Sequence, residues 1–127
     1  MIDHAAATDL LEAFVAARVA FDGDAWVALF TEDAEYHEDP FGTALVGHNA
    51  LRAWLLDAAE SQRDVDVTIE RHWVSGSTVL AAWHASWTRR RDGGLVRVAG
   101  FLTADVTPDG RIDRLRQWAS HAPGSAE

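Results

Sequence analysis

The sequence predicts an α+β fold in which a curved antiparallel sheet wraps around N-terminal helices and forms a cone. Apolar residues recur at helical spacing through roughly the first sixty positions. From Asp64 onward the spacing changes to two, the period of a half-buried strand. Runs of helix followed by runs of strand are typical of α+β folds. A sheet that buries its apolar face against these helices must curl around them.

The helical part of the pattern is broken twice by short polar segments. Three helices are therefore predicted, over residues 8–21, residues 25–30 and a third segment from Gly47 to about Ser61. Thr8 and Asp9 supply capping oxygens for the first helix, so residues 1–7 are expected to fray. Residues 31–33 are predicted to form a loop before the first strand.

The strands alternate apolar and polar residues. Ala34 to His37 is a short strand, with Tyr36 on one face and His37 on the other. Three long strands joined by hairpins and a last strand follow, over residues 64–73, 79–88, 96–106 and 111–120. Alternation places Trp73 on the buried face, and His72 and His84 on the outer face.

Composition limits the function classes. The 127 residues suit a single domain with a core over about 8–121, and residues 122–127 are expected to be a flexible tail. A net charge of -9 argues against nucleic acid as a partner. The chain has no cysteine and shows neither an export leader nor an apolar run that could span a membrane, so a cytoplasmic location is predicted. Arg89-Arg90-Arg91 is interpreted as a solvated hairpin end.

Titratable and aromatic groups are concentrated between Asp33 and Gly42, which makes this stretch the candidate site. Asp39 and Glu38 are candidate bases, although an Asp before Pro also commonly accepts backbone hydrogen bonds in a turn. Histidine has an unperturbed pKa of about 6.5, close to neutral pH, so His37 is a candidate acid or base, or a surface histidine. Tyr36 is a candidate donor to a substrate carbonyl, or a wall residue. No spacing typical of a metal site occurs.

The element order and several motifs resemble the nuclear transport factor 2-like superfamily, in particular its SnoaL-like and ketosteroid-isomerase-like branches. The matching motifs are Gly23-Asp24, Asp33-Ala34, Glu38-Asp39-Pro40-Phe41-Gly42, Gly47 and Asp109-Gly110-Arg111-Ile112. The resemblance implies a cone-shaped, cystatin-like roll, cofactor-independent chemistry and a homodimer formed through the outer face of the sheet. It also implies a pocket for a hydrophobic small molecule, walled by Trp26, Phe30, Tyr36, Phe41, Trp54, Trp83, Trp87, Leu102 and Trp118.

The same resemblance leaves the activity open. In ketosteroid isomerases an Asp at the position of Asp39 moves a proton beside a ketone, and this system is itself a standard example of pKa tuning. The two donors that stabilise the enolate there correspond to Val15 or a neighbouring alanine and to Leu102, so steroid isomerisation is not expected. Three hypotheses remain: an isomerase or cyclase with a carboxylate base, a non-catalytic binding or dimerisation module, and a domain with a filled core.

Overall fold

A computed structural model gives the fold and describes residues 1–125. It contains three helices and six strands in the predicted order, with one short strand added. They are α1 (His4–Ala20), α2 (Gly23–Ala28), β1 (Phe30–His37), β2 (Leu45–Val46), α3 (His48–Ser61), β3 (Gln62–Ser75), β4 (Thr78–Arg89), β5 (Leu95–Val106) and β6 (Ile112–His121). The predicted α+β cone is confirmed.

The sheet is mixed and open, with strand order β2-β1-β6-β5-β4-β3. Strands β3 to β6 pair as antiparallel neighbours, as predicted. Strand β1 instead runs parallel to β6, so the prediction of a wholly antiparallel sheet is wrong. Helix α3 and four strands separate β1 from β6 in the chain, and such a long connection permits the parallel pairing that a hairpin forbids.

Helix α1 begins four residues earlier than predicted. The side chain of Asp3 accepts a hydrogen bond from the backbone N–H of Ala6 at 2.8 Å and caps the helix. Thr8 lies inside the helix, where its hydroxyl donates to the carbonyl of His4 at 3.0 Å. The predicted cap at Thr8 and Asp9 and the frayed segment before it are therefore wrong.

The second helix lies two residues earlier, and the first strand is longer, than the sequence predicts. Helix α2 ends at Ala28 and β1 begins at Phe30, so residues 31–33 belong to a strand and not to a loop. The carbonyl of Leu29 accepts a 2.7 Å hydrogen bond from the N–H of Ile112, which draws this segment onto β6. Tertiary pairing of this kind overrides the local helical spacing.

A bulge in β3 reverses two predicted side-chain directions. The pairing with β4 shifts between Ile69 and Arg71, which leaves Glu70 as an extra residue. Beyond this point Trp73 is 39% exposed on the outer face. His72 turns inward, stacks on His4 at 4.3 Å and lies 3.2 Å from the hydroxyl of Thr8. Because a one-residue shift exchanges the faces of a strand, both predictions are wrong for the same reason.

The C-terminal segment packs against the sheet as far as it is described. The N–H of Ala122 donates to the carbonyl of Arg97 at 2.9 Å, and Ser125 is buried. These contacts contradict the predicted flexible tail over residues 122–125. The remainder of that prediction, residues 126–127, lies outside the described residues.

The centre of the core is an aromatic cluster between the helices and the inner face of the sheet. The ring of Trp26 is fully buried and packs on four other rings with centroid distances from 5.1 to 6.0 Å. The members of the aromatic cluster are Phe14, Trp26, Phe30, Tyr36 and Trp54. Such pairs add to the stabilisation that the buried apolar area supplies.

Candidate functional site

A small cavity lies between α1 and the inner face of the sheet. Its volume is about 70 Å³, which is enough for water or a small chemical group. Nine side chains form its wall: Phe14, Arg18, Tyr36, Val67, Ile69, Trp83, Ala85, Trp87 and Leu102. Seven of these nine are hydrophobic, so the cavity favours an apolar occupant.

An open cleft of about 620 Å³ lies next to this cavity, between α3 and the β4–β5 hairpin. Its wall includes Glu38, Trp54, Gln62 and Trp87, and Trp87 also lines the cavity. Pockets for drug-sized ligands have volumes of roughly 300–1,000 Å³. The cleft is in that range and the cavity is not, so a larger molecule would have to occupy both.

Arg90 ties the two walls of the cleft together. Its backbone N–H donates to the carbonyl of Ser61 at 3.0 Å, and its Nε–H lies 3.0 Å from the carbonyl of Ala59 and 2.9 Å from that of Gln62. The C-terminal carbonyls of a helix lack partners within the helix. The arginine hairpin is therefore docked on the end of α3, and the prediction of a merely solvated turn misses this role.

The two candidate carboxylates lie in different places. Glu38 lines the cleft, and its side chain accepts a hydrogen bond from the indole N–H of Trp54. Asp39 lies in an exposed turn, where its side chain accepts from the backbone N–H of Phe41 at 2.8 Å. The structure thus brings Glu38 to the site and gives Asp39 the turn contact that the sequence offered as its alternative.

Tyr36 and His37 lie on opposite faces of β1, as the alternation predicts. Tyr36 is buried in the cavity wall, and its hydroxyl donates to the side-chain oxygen of Gln117 at 3.2 Å. Burial raises the pKa of this hydroxyl, and the charge of Glu38 raises it further, so the phenol stays protonated at neutral pH. The Nε2 atom of His37 lies 3.0 Å from a carboxylate oxygen of Glu35, away from the cavity.

The predicted aromatic wall is only partly present. Trp83, Trp87 and Leu102 line the cavity, and Trp54 lines the cleft. Trp26 and Phe30 belong to the aromatic cluster behind the wall.

Two of the predicted wall residues are on the surface. Phe41 is 97% exposed at the tip of its turn, so its predicted place in the wall is wrong. Trp118 is 36% exposed on the outer face and is also wrongly predicted. Its neighbour Gln117 points inward to Tyr36, and successive strand residues face opposite sides.

Arg18 is a site residue that the sequence analysis did not select. Its side chain is only 8% exposed, and its Nη2 donates to the side-chain oxygen of Gln62 at 2.7 Å. The guanidinium packs over the rings of Trp54 and Phe21 at 5.2 and 5.6 Å. Burial lowers the pKa of this group. The sequence feature that could have identified Arg18 is its position four residues after Phe14, where a single arginine interrupts the apolar stripe of the first helix.

Metal and membrane features were also sought in residues 1–125. No group of three or more histidine and acidic side chains in this part of the chain is placed to hold a metal ion. None of the helices described has both the length and the apolar character needed to cross a bilayer.

Solved structures similar to this chain share its fold. One is a hypothetical protein with a ketosteroid isomerase-like fold from Catenulispora acidiphila, in complex with trimethylamine (17% identity, 86% of this chain and 83% of that chain, TM-score 0.78). A second is SalBIII, an epoxide hydrolase/cyclase-like enzyme of pyran ring formation in salinomycin (22% identity, 94% and 95%, TM-score 0.84). A third is a computationally designed 17-OHP binder (22% identity, 92% and 98%, TM-score 0.77).

Sequence comparison gives the family. A search of curated proteins found no significant match. The family model of the SnoaL-like domain matches residues 11–115, which span α1 to β6 and include Arg18, Glu38 and most of the cavity wall. The chain therefore belongs to the SnoaL-like domain family of the nuclear transport factor 2-like superfamily.

Proposed function

We propose that this chain binds a hydrophobic small molecule in the cavity and the adjoining cleft. The observation that carries the proposal is the shared lining residue Trp87, which places an apolar cavity directly beside a cleft of ligand size. Binding of small molecules by similar folds supports it, since one neighbour holds trimethylamine and another is a designed 17-OHP binder. The cytoplasmic location and the single-domain organisation stay predictions.

The reaction we propose is a cofactor-independent isomerisation or cyclisation with a carboxylate base. Glu38 would take a proton from a carbon next to a substrate carbonyl, and the electron pair of that bond would form an enolate. In an isomerase the protonated Glu38 returns the proton to another carbon. In a cyclase the enolate carbon attacks a second carbonyl, the electron pair of that C=O bond forms an alkoxide, and the alkoxide takes the proton from Glu38. The protonated phenol of Tyr36 is the candidate donor to the enolate oxygen.

A second candidate is a non-catalytic binding module that uses the same pocket. Glu38 is exposed to solvent, and its carboxylate already accepts the indole N–H of Trp54. Val15 and Leu102 still leave the family's two enolate-stabilising positions without a donor. Asp39 and His37 remain sequence predictions for the reaction, because neither lies in the cavity or the cleft wall.

A ligand screen tests the binding proposal. Steroids, aromatic polyketides, terpenoid epoxides and hydroxy-ketones are added to the chain, and thermal unfolding is followed together with tryptophan fluorescence. A ligand at a hundred times its dissociation constant stabilises by about 2.7 kcal/mol. We expect at least one class to raise the melting temperature and to change the tryptophan emission, because Trp83 and Trp87 line the cavity.

A cavity-filling variant gives this screen a control. Ala85 is buried in the cavity wall, so Ala85→Leu should fill the cavity and weaken binding at least about tenfold. Ala99 is exposed on the neighbouring strand β5, so Ala99→Leu makes the same change outside the cavity. The proposal would be contradicted if no compound class changed the melting temperature or the tryptophan emission, or if both variants bound the ligand equally well.

We also propose that two copies of the chain associate through the outer face of the sheet. Trp73 and Phe101 pack there at 5.8 Å, and Trp118 pairs with Phe101 in the strand register. Arg71 and Arg116 stack on the two tryptophans. Contiguous exposed aromatic surface of this kind marks association sites.

Light scattering after size exclusion tests this association. Twice the 13.9 kDa chain mass is expected for the unmodified chain. The double variant Trp73→Ser/Trp118→Ser should elute as a monomer, because it removes two of the three aromatic side chains. Leu56→Ser is the control, since Leu56 is an exposed apolar residue on α3, which is not part of the sheet. A monomeric unmodified chain would contradict the proposal.

A further inference from the structure

Arg18 is a buried cation that forms no direct ion pair within residues 1–125, and the charge of Glu38 acts on it without contact. Only 8% of the surface of Arg18 is exposed to solvent. It forms no ion pair with a carboxylate among the described residues. Arginine is almost never buried in this way unless it is paired, because the loss of hydration is large. The amide oxygen of Gln62 accepts one of its hydrogen bonds but provides no charge.

The cavity wall also holds hydrogen-bond donors that lack acceptors. Within residues 1–125, neither the Nη1 of Arg18 nor the Nε1 of Trp83 has a hydrogen-bond partner. Both residues line the cavity, and they come from different elements, α1 and β4. The hydroxyl of Tyr36 and the indole N–H of Trp87 are the other polar groups of the wall, and the hydroxyl donates toward Gln117. The wall therefore offers donors and a positive charge, and no carboxylate.

We propose that the cavity binds the carboxylate of a hydrophobic organic anion, with Arg18 and Trp83 as its donors. The inference rests on the proposed function, because it names the chemical class of the ligand that the same cavity binds. The carboxylate oxygens of such a ligand accept hydrogen bonds from the unpaired donors, and their negative charge neutralises the guanidinium. A water molecule would accept the hydrogen bonds but would not neutralise the charge. The apolar body of the ligand then extends past Trp87 into the cleft.

The experiment compares two probes of nearly equal shape, 2-naphthoate and 2-naphthamide, by calorimetric titration at pH 7. We expect 2-naphthoate to bind at least about tenfold more tightly, since a hydrogen bond from a guanidinium to a carboxylate is stronger than one to a neutral amide. In Arg18→Met, which keeps the apolar stem, this preference should disappear. Trp83→Phe keeps the ring but loses the N–H, and should reduce the preference only in part.

The outcomes separate this inference from the proposed function. Equal binding of both probes by the unmodified chain overturns the carboxylate proposal and leaves the pocket proposal standing. Binding of neither probe, with hits elsewhere in the screen, also overturns it. Binding of neither probe without any other hit contradicts both proposals. The comparison on the unmodified chain decides the question even where Arg18→Met fails to fold.

Discussion

Replacing Glu38 by glutamine is expected to lower the turnover of the compound found in the screen by about 10²–10⁴-fold, the usual contribution of a positioned acid or base. Glutamine has the same shape, and its amide oxygen can still accept the indole N–H of Trp54. It cannot take a proton from carbon. The measurement is kcat with that compound, together with its dissociation constant, which should change little.

Asp39→Asn is the matched control for that variant. It removes the same charge one residue away, and asparagine can still accept the backbone N–H of Phe41 in the turn. We expect kcat to stay within about threefold of the unmodified chain, as is usual for a surface change remote from the chemistry. If Asp39→Asn lowers kcat and Glu38→Gln does not, Asp39 is the base. Unchanged turnover in both variants would contradict a carboxylate base at either position.

Replacing Trp26 by alanine is expected to lower the free energy of unfolding by about 3–5 kcal/mol, as for other large aromatic residues in cores. Trp26 has no exposed surface and packs on Phe14, Phe30, Tyr36 and Trp54. Its removal leaves a hole that these four rings cannot close. Urea denaturation followed by circular dichroism measures the change.

Trp118→Ala is the control for the loss of an indole as such. Trp118 is 36% exposed on the outer face, where Arg116 covers its ring at 5.3 Å. A loss below about 1 kcal/mol is expected when unfolding is measured at a concentration at which the chain is monomeric, since surface substitutions outside an interface rarely have large effects. Similar losses in the two tryptophan variants would show that the aromatic cluster is not the centre of the core.

The fold could be predicted because its main signal is periodic. The change from helical spacing to alternation near Asp64 depends only on which faces are buried, and it fixes both the element types and their order. The errors lie where one contact overrides the pattern. The cap by Asp3 lengthens α1, the extra Glu70 reverses Trp73 and His72, and the parallel pairing with β6 draws Phe30 into a strand.

The site could be predicted less well, because it depends on packing between distant segments. The sequence identified the stretch that holds Tyr36 and Glu38, but it could not say which of two adjacent carboxylates reaches the cleft. That choice depends on where the indole of Trp54 lies on α3. Arg18 was passed over because an arginine in a helical stripe usually extends its charge to solvent. Only the closed packing around Gln62 and Trp54 shows that it cannot.

The attachment of Arg90 to the end of α3 has a consequence for how fast a ligand can exchange. Three backbone carbonyls accept hydrogen bonds from Arg90, so we expect a hinge motion that widens the cleft to require the loss of these bonds. Passage into the interior would then depend on rotation of side chains such as the half-buried Trp87. Rotamer changes of exposed side chains take picoseconds to nanoseconds, whereas collective hinge motions take microseconds to milliseconds. Entry and release would then be limited by diffusion and affinity rather than by the opening of a lid.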